Sequence, residues 1–277
     1  MKQFYKVICV FCVIFILTLN VSAATSNSYV YNSEDEAVAV PSPYTVEKYL
    51  DSEFDGIKLK APSDFCVYNS IIYILDSGNN RIVKLNENFE FLETVYLHKE
   101  GQSISFGEAK GIFVDRDNKI YVADKSAQKV YVAEANGLIA AEILSPPKDK
   151  VDEDFEFTPT SVIADTAGIV YVISSGSYAG ALQYDNEYNF LGFYGSEQVT
   201  VTAKVLLNEF WKKILSKEAA SGLTRNVPTS VVALDIDKDN FVYTLKGGSS
   251  QSAGGQIRRL NTLGSNILLD NEGNAGV

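Results

Sequence analysis

Residues 71–85 read IIYILDSGNNRIVKL, and this stretch decides how the rest of the chain is interpreted. Two runs rich in β-branched and aromatic residues, Ile71–Leu75 and Arg81–Leu85, flank a polar turn. Such runs, bounded by Gly and Asn, predict a strand, a tight turn and a second strand. The aromatic residue of the first run recurs at spacings of 48, 50 and 72 residues, as Tyr73, Tyr121, Tyr171 and Tyr243. A period of about 50 residues with several strands in each period is typical of a propeller.

The repeats predict an all-β fold, a β-propeller with four recognisable four-stranded antiparallel blades. The blades cover about residues 61–97, 108–144, 158–195 and 227–269, within a propeller region of 61–277. Two of them begin with the same Pro-Thr-Ser sequence, at residues 159–161 and 228–230. Because Pro fixes its backbone angle, this match indicates the same entry into an inner strand.

An insertion at residues 196–226 separates the third repeat from the fourth. Apolar residues at helical spacing predict one amphipathic helix over Thr200–Ala219. Four lysines make this segment basic: Lys204, Lys212, Lys213 and Lys217. Two interpretations follow: a cap packed on the propeller, or peripheral contact of the 200–219 helix with a membrane surface.

The N-terminus has the pattern of a secretory signal peptide, residues 1–23. Lys2 and Lys6 precede an apolar core of thirteen residues, Val7–Leu19, and small residues end at Ala23. The alternative is a single-pass anchor, which needs about 20 apolar residues. We expect cleavage after Ala23, a secreted or surface-associated protein, and an N-terminal strand and linker at residues 24–60.

The chain carries 24 basic and 35 acidic residues, a formal net charge of −11. Nucleic-acid phosphates repel such a chain, so we do not expect a nucleic-acid partner. Once the signal is removed, Cys66 is the remaining cysteine, which excludes an intramolecular disulfide. Its apolar neighbours predict a buried structural thiol.

Residues 73–82, YILDSGNNRI, resemble the NHL-repeat pattern in their Tyr, in Asp76, in Asn79 and in the pair Arg81-Ile82. From Tyr29 to its end, the chain is similar to secreted NHL-repeat proteins of Gram-positive bacteria, often called gluconolactonase-like. That family usually closes with six blades. The resemblance therefore implies an open or incomplete six-blade arc, truncated at the C-terminus.

The resemblance also implies a divalent metal in the central channel, held by Glu, Asn and Asp side chains. The predicted channel lining comes from the starts of the inner strands: Asp64, Lys110, Thr160, Ser161, Thr229 and Ser230. This ring offers one carboxylate, so three anionic oxygen ligands do not assemble, and we predict no metal there. Calcium at Asp235–Asn240, where carboxylates alternate, is an alternative to ordinary turn chemistry.

Two functions remain open. The first is a non-enzymatic module that binds a protein, a peptide or a glycan on a face formed by long loops. The second is a metal-dependent, lactonase-like hydrolase with its site in the central channel. The loop residues predicted to bind are aromatic, basic or polar: Tyr178, Trp211, Lys212, Arg225, Ser249 and Gln251.

Overall fold

The computed structural model describes residues 28–31, 36–40, 49–50, 53–177, 180–195, 231–246 and 256–268. The chain forms two compact units, Met1–Leu50 and Asp51–Val277. The first unit contains an antiparallel hairpin of β1 (Ser28–Tyr31) and β2 (Ala37–Val40). The predicted signal at 1–23 and the predicted helix at 200–219 lie outside the described residues. Within the described ranges the helical element is a 3-10 turn, Ser77–Asn79, and no helix there is long and apolar enough to span a bilayer.

The second unit is built from antiparallel strands that pair in chain order. Two short hairpins lie outside the blades: β3 (Glu53–Phe54) with β4 (Ile57–Lys58), and β9 (His98–Lys99) with β10 (Gln102–Ser103). The strands of blade 1 are β5 (Asp64–Tyr68), β6 (Ile71–Asp76), β7 (Arg81–Asn86) and β8 (Phe91–Val95). Those of blade 2 are β11 (Ala109–Val114), β12 (Ile120–Asp124), β13 (Lys129–Ala133) and β14 (Ile139–Ile143).

Blades 3 and 4 follow the same order. The strands of blade 3 are β15 (Pro159–Ala164), β16 (Val170–Ser174), β17 (Ala181–Tyr184) and β18 (Phe190–Tyr194). Blade 4 has three described strands, β19 (Val231–Ile236), β20 (Val242–Lys246) and β21 (Gln256–Leu260). The prediction of an all-β protein with four blades in a propeller arrangement is confirmed.

The blades stack through their faces, because side chains alternate between the two sides of each strand. We call the side that meets the next blade along the chain the forward face, and the opposite side the rear face. The repeat tyrosines Tyr73, Tyr121 and Tyr171 are buried on forward faces. Each packs in a cluster with apolar residues from the rear face of the following blade, such as Ile112, Val162 and Val242 respectively. Three layers between consecutive blades therefore make up most of the described core, and Phe54, Ile74, Val83 and Leu85 are buried on the rear side of blade 1 as well.

A polar side chain at the end of each second strand fixes the start of the same blade. The acceptors are Asp76 Oδ1, Asp124 Oδ1 and Ser174 Oγ, which receive N–H donors at 2.7, 2.8 and 2.9 Å. Each donor lies 16 residues earlier in the chain, at Lys60, Glu108 and Thr158. The segment entering the inner strand is thus attached to the second strand in three successive blades.

In blade 1 the acceptor also forms a buried ion pair. Arg81 Nε lies 2.7 Å from Asp76 Oδ2, and both side chains are fully buried. The two other guanidinium nitrogens donate to the carbonyl oxygens of Phe54 and Ile57 at 2.9 and 2.8 Å. Asn79 donates to Asp76 Oδ2 at 2.7 Å. The Asp, Asn and Arg of the repeat pattern therefore form one cluster, which holds the β3–β4 hairpin against blade 1.

We predict that Arg81→Met lowers the free energy of unfolding by about 3–5 kcal/mol, because it leaves the Asp76 carboxylate buried without its cation. Urea denaturation of the purified protein measures this change. The matched control is Lys129→Met at the equivalent position of blade 2. Lys129 pairs with Glu142 at 3.0 Å and both are partly exposed, so its loss should cost about 1 kcal/mol or less. Equal losses for the two variants would contradict the assignment.

Candidate functional site

The inner strands β5, β11, β15 and β19 line a cavity of about 750 Å³, which we call the central cavity. Each strand contributes consecutive residues to the wall, and the turns that follow β11, β15 and β19 form one rim. Most of the lining is apolar. The charged lining residues are Asp64, Asp115, Arg116, Asp165, Asp235, Asp237 and Lys238. Five carboxylates against two cations make the wall of the central cavity acidic.

Of the residues predicted to line the channel, Asp64 and Ser161 lie in the wall of the central cavity. Lys110 and Thr160 are not part of this wall, because each is the extra residue of a β-bulge in its inner strand. The Lys110 ammonium group pairs with Glu108 at 2.9 Å. The Thr160 hydroxyl group donates to the Ile173 carbonyl oxygen at 3.5 Å. Thr229 and Ser230 lie outside the described residues.

The loop residues predicted to bind a partner all lie outside the described residues, and they stay predictions. They are Tyr178, Trp211, Lys212, Arg225, Ser249 and Gln251. His98 is placed in the β9–β10 hairpin, with Nδ1 3.1 Å from the carbonyl oxygen of Tyr96. It is not among the residues that line the central cavity.

Two inner-strand carboxylates, Asp64 and Asp235, and the thiol of Cys66 line the same central cavity. Asp64 Oδ2 accepts the Ile112 N–H at 2.9 Å, and Asp235 Oδ1 accepts the Ile236 N–H at 2.8 Å. Burial raises the pKa of Asp64, although hydrogen bonds from the Ile112 and Phe65 backbones act against it. Asp235 lies level with Cys66 when the blades are aligned on their tyrosines, because both pair with the repeat tyrosine. That alignment could have shown from sequence that Asp235 and Cys66 occupy equivalent positions on their inner strands.

Cys66 is half-buried in the wall of the central cavity, whereas the sequence predicted a buried thiol. The difference arises because β5 is an innermost strand and borders the cavity. Burial raises the pKa of the Cys66 thiol, and the charges of Asp64 and Asp235 raise it further. A raised pKa keeps the sulfur protonated at neutral pH, which disfavours a role as a nucleophile.

The carboxylates on the rim are engaged in a repeated turn. Asp115, Asp165 and Asp237 each accept two backbone N–H bonds, from the residues two and four positions later. Each also accepts the hydroxyl of the repeat tyrosine six positions later, at 2.9, 3.3 and 3.2 Å. The repeated Asp and Tyr of the sequence are thus one hydrogen-bonded unit.

The segment Asp235–Asn240, for which calcium binding was the alternative, contains this same turn, and its carboxylate Asp237 already has hydrogen-bond partners. Asp237 is occupied by two backbone N–H groups and by Tyr243, and Arg259 Nη2 lies 3.3 Å from its Oδ2. Burial acts to raise the pKa of Asp237, but these hydrogen bonds outweigh it and lower the pKa. Asp235 lies on the inner strand, outside the turn. In the part of the chain that the structure describes, no group of three or more His, Cys, Asp or Glu residues could hold a metal ion.

We predict that Asp64→Asn raises the free energy of unfolding at pH 7. The pKa of Asp64 is raised in the folded protein, so ionisation costs stability as the pH rises through that pKa. Asn keeps an oxygen that can accept the Ile112 N–H and carries no charge. Denaturant titrations at pH 7 and pH 3 should show a gain at pH 7 that vanishes at pH 3. An equal gain at both pH values would contradict this account, and exposed Glu134→Gln serves as the control.

No protein-family model matches this chain, and no curated protein matches its sequence. Among solved structures it is similar to virginiamycin B lyase from Staphylococcus aureus, with 10% identity over 86% of this chain and 60% of that chain, at a TM-score of 0.43. It is also similar to a protein of unknown function from Bacteroides caccae, with 14% identity over 77% of this chain and 70% of that chain, at a TM-score of 0.44.

A third similar structure is hydrazine synthase from Kuenenia stuttgartiensis, with 10% identity and a TM-score of 0.44. The match covers 79% of this chain and 49% of that chain. The chain thus spans about half of hydrazine synthase and three fifths of the lyase. All three TM-scores are below 0.5, so the propeller assignment rests on the strand pairing described above.

Proposed function

We propose that the chain is a secreted or surface-associated, non-enzymatic binding module of the NHL-repeat kind, which holds a positively charged peptide segment in its central cavity. The observation that carries the proposal is the acidic wall of the central cavity. Asp64 and Asp235 stand on two inner strands, and both act on the Cys66 thiol from the lining of the same cavity. A carboxylate in a recess shielded from water attracts a lysine or arginine side chain more strongly than one on an open surface.

The state of the polar groups favours binding over catalysis. The rim carboxylates are engaged by backbone N–H groups and by tyrosine hydroxyls, so their lone pairs are largely committed. The thiol in the wall stays protonated. Apolar side chains supply most of the remaining lining, which is the composition of a typical ligand pocket. A peptide that places an apolar side chain beside a cation matches both parts of the wall.

Three further observations support the wider proposal. The buried cluster of Asp76, Asn79 and Arg81 uses the residues that the NHL-repeat pattern shares, and it secures one blade. The net charge of −11 would raise the rate at which a basic partner approaches. The N-terminal pattern of two lysines, an apolar core and small residues supports export.

Binding can be tested by isothermal titration with the peptide acetyl-Ala-Lys-Phe-Lys-amide, using the same peptide acetylated on both lysines as the neutral reference. We expect the charged peptide to bind at least about fivefold more tightly, corresponding to about 1 kcal/mol for an ion pair that is partly shielded from water. Asp235→Asn should remove most of this difference, while Glu134→Gln, outside the cavity, should leave it unchanged. Equal affinity for the two peptides would refute the proposed ligand class.

Export has a separate test. When the full chain is expressed in a secreting bacterial host, we expect N-terminal sequencing of the protein in the medium to begin at Ala24. Substituting Ala23 by a bulky residue, Ala23→Phe, should block this cleavage, because signal peptidase requires a small residue at that position. An uncleaved chain that stays with the membrane fraction would support the anchor instead.

A further inference from the structure

Each inner strand leaves part of its backbone unpaired on the side of the central cavity. In an antiparallel pair only alternate residues exchange N–H···O bonds, so the N–H groups between them point away from the second strand. In blade 3 the Asp165 N–H donates to the Ile169 carbonyl oxygen at 2.9 Å, which fixes the alternation. The N–H groups of Val162 and Ala164 therefore point away from β16, and both residues line the cavity.

On the other inner strands, side chains engage the equivalent N–H groups. In β11 both groups have acceptors that come from β5: the Ile112 N–H donates to Asp64 Oδ2 at 2.9 Å, and the Val114 N–H donates to the Cys66 sulfur. On β5 and β19 the carboxylates of Asp64 and Asp235 each engage the N–H of the residue that follows. Side chains of the inner strands thus occupy donors that would otherwise face the cavity.

β15 follows a strand whose side chains cannot play this part. β11 has Gly111 and Phe113 at the two positions from which β5 supplies its acceptors, and neither side chain carries an oxygen, nitrogen or sulfur atom. A Cβ at Gly111 would lie 2.8 Å from the Thr160 carbonyl oxygen, so the close approach of the two strands excludes a longer side chain there. Among the residues that the structure describes, none accepts the N–H of Val162 or of Ala164.

We propose that the peptide in the central cavity is bound in an extended conformation, as a strand whose backbone pairs with the inner edge of β15 at Val162 and Ala164. This inference rests on the proposed function, because it concerns the same ligand and the same cavity. The two residues of β15 present their N–H groups about 7 Å apart, and alternate residues of an extended peptide repeat at the same spacing. A strand edge with unpaired backbone groups is a template for such pairing.

The carboxylates of the cavity fit this arrangement. Side chains of a strand added to β15 alternate between its two sides, one towards β11 and β5 and the other towards β19. Asp64 stands on β5 and Asp235 on β19, and both line the cavity. A basic side chain on either side of the peptide therefore has a carboxylate on the same side. Backbone pairing would position the peptide, and the carboxylates would select basic residues.

Backbone methylation of the peptide acetyl-Ala-Lys-Phe-Lys-amide tests the pairing, because a methyl group on an amide nitrogen removes a donor and leaves every charge in place. In an added strand only alternate residues face β15. One alternate pair is alanine and phenylalanine, and the other is the two lysines. We expect methylation of one pair to weaken binding at least about tenfold in isothermal titration, and methylation of the other pair to change it less than about threefold. Equal losses for the two pairs would overturn the proposal.

Amide hydrogen exchange, measured by NMR on the secreted chain, locates the paired edge. With saturating peptide, exchange of the Val162 and Ala164 amides should slow at least about fivefold, because each gains an acceptor. Exchange of the Ile112 amide should stay unchanged, because the Asp64 carboxylate already accepts its hydrogen. Unchanged exchange at both β15 amides, although the peptide binds, would overturn the proposal.

The two proposals fail separately in these experiments. If the charged peptide binds more tightly than its acetylated reference, but the methylated pairs do not differ and exchange on β15 is unchanged, the basic ligand class stands and strand pairing is refuted. If both peptides bind equally and slow exchange on β15, strand pairing stands and the ligand class is refuted. Failure of both peptides to bind at millimolar concentration overturns both.

Discussion

A blade with two apolar faces cannot be stable alone, and this constraint organises the whole molecule. In β12 and β16 every residue is buried, so neither side of these strands faces water. Alternation along a strand would ordinarily give one apolar and one polar side. Here both sides are apolar, and blades 2 and 3 must therefore each be covered on both sides, which the neighbouring blades provide. The stacking of blades and the central cavity between their inner strands follow from that requirement.

Polar side chains fix the backbone at the ends of the strands, where the apolar layers between blades do not hold it. The acceptors Asp76, Asp124 and Ser174 secure the segment before each inner strand, and the Asp–Tyr units secure the turn after it. Both devices satisfy backbone N–H groups that would otherwise lack partners near the core. In blades 2 and 3 the inner strand is thus fixed at both ends. Blade 1, which carries Asp64, has the first device, and blade 4, which carries Asp235, has the second.

The inner strands contribute both to the packing between blades and to the wall of the central cavity. Residues such as Ile112 and Val162 lie in the layers between blades and also line the central cavity. A substitution in an inner strand can therefore change the packing between blades and the wall of the cavity together.

The sequence by itself determined the strands, their antiparallel order and the repeat, because these depend on local signals: alternating apolar residues, turn residues and a recurrent tyrosine. It also pointed to Asp64 and Ser161 near the channel, since both stand close to the start of an inner strand. It could not place Lys110 and Thr160, because a bulge exists only relative to the strand that pairs with it.

Other features were decided by the tertiary structure alone. Asp235 and Cys66 belong to strands of different blades, and only the stacking of the blades brings both into the wall of one cavity. The exposure of Phe65 and Ile257 is equally invisible in the sequence, where both resemble core residues of any strand. Burial depends on which face finds a neighbour, a relation between elements far apart in the chain. Local patterns specify a blade, but only the assembled blades specify which surfaces stay open.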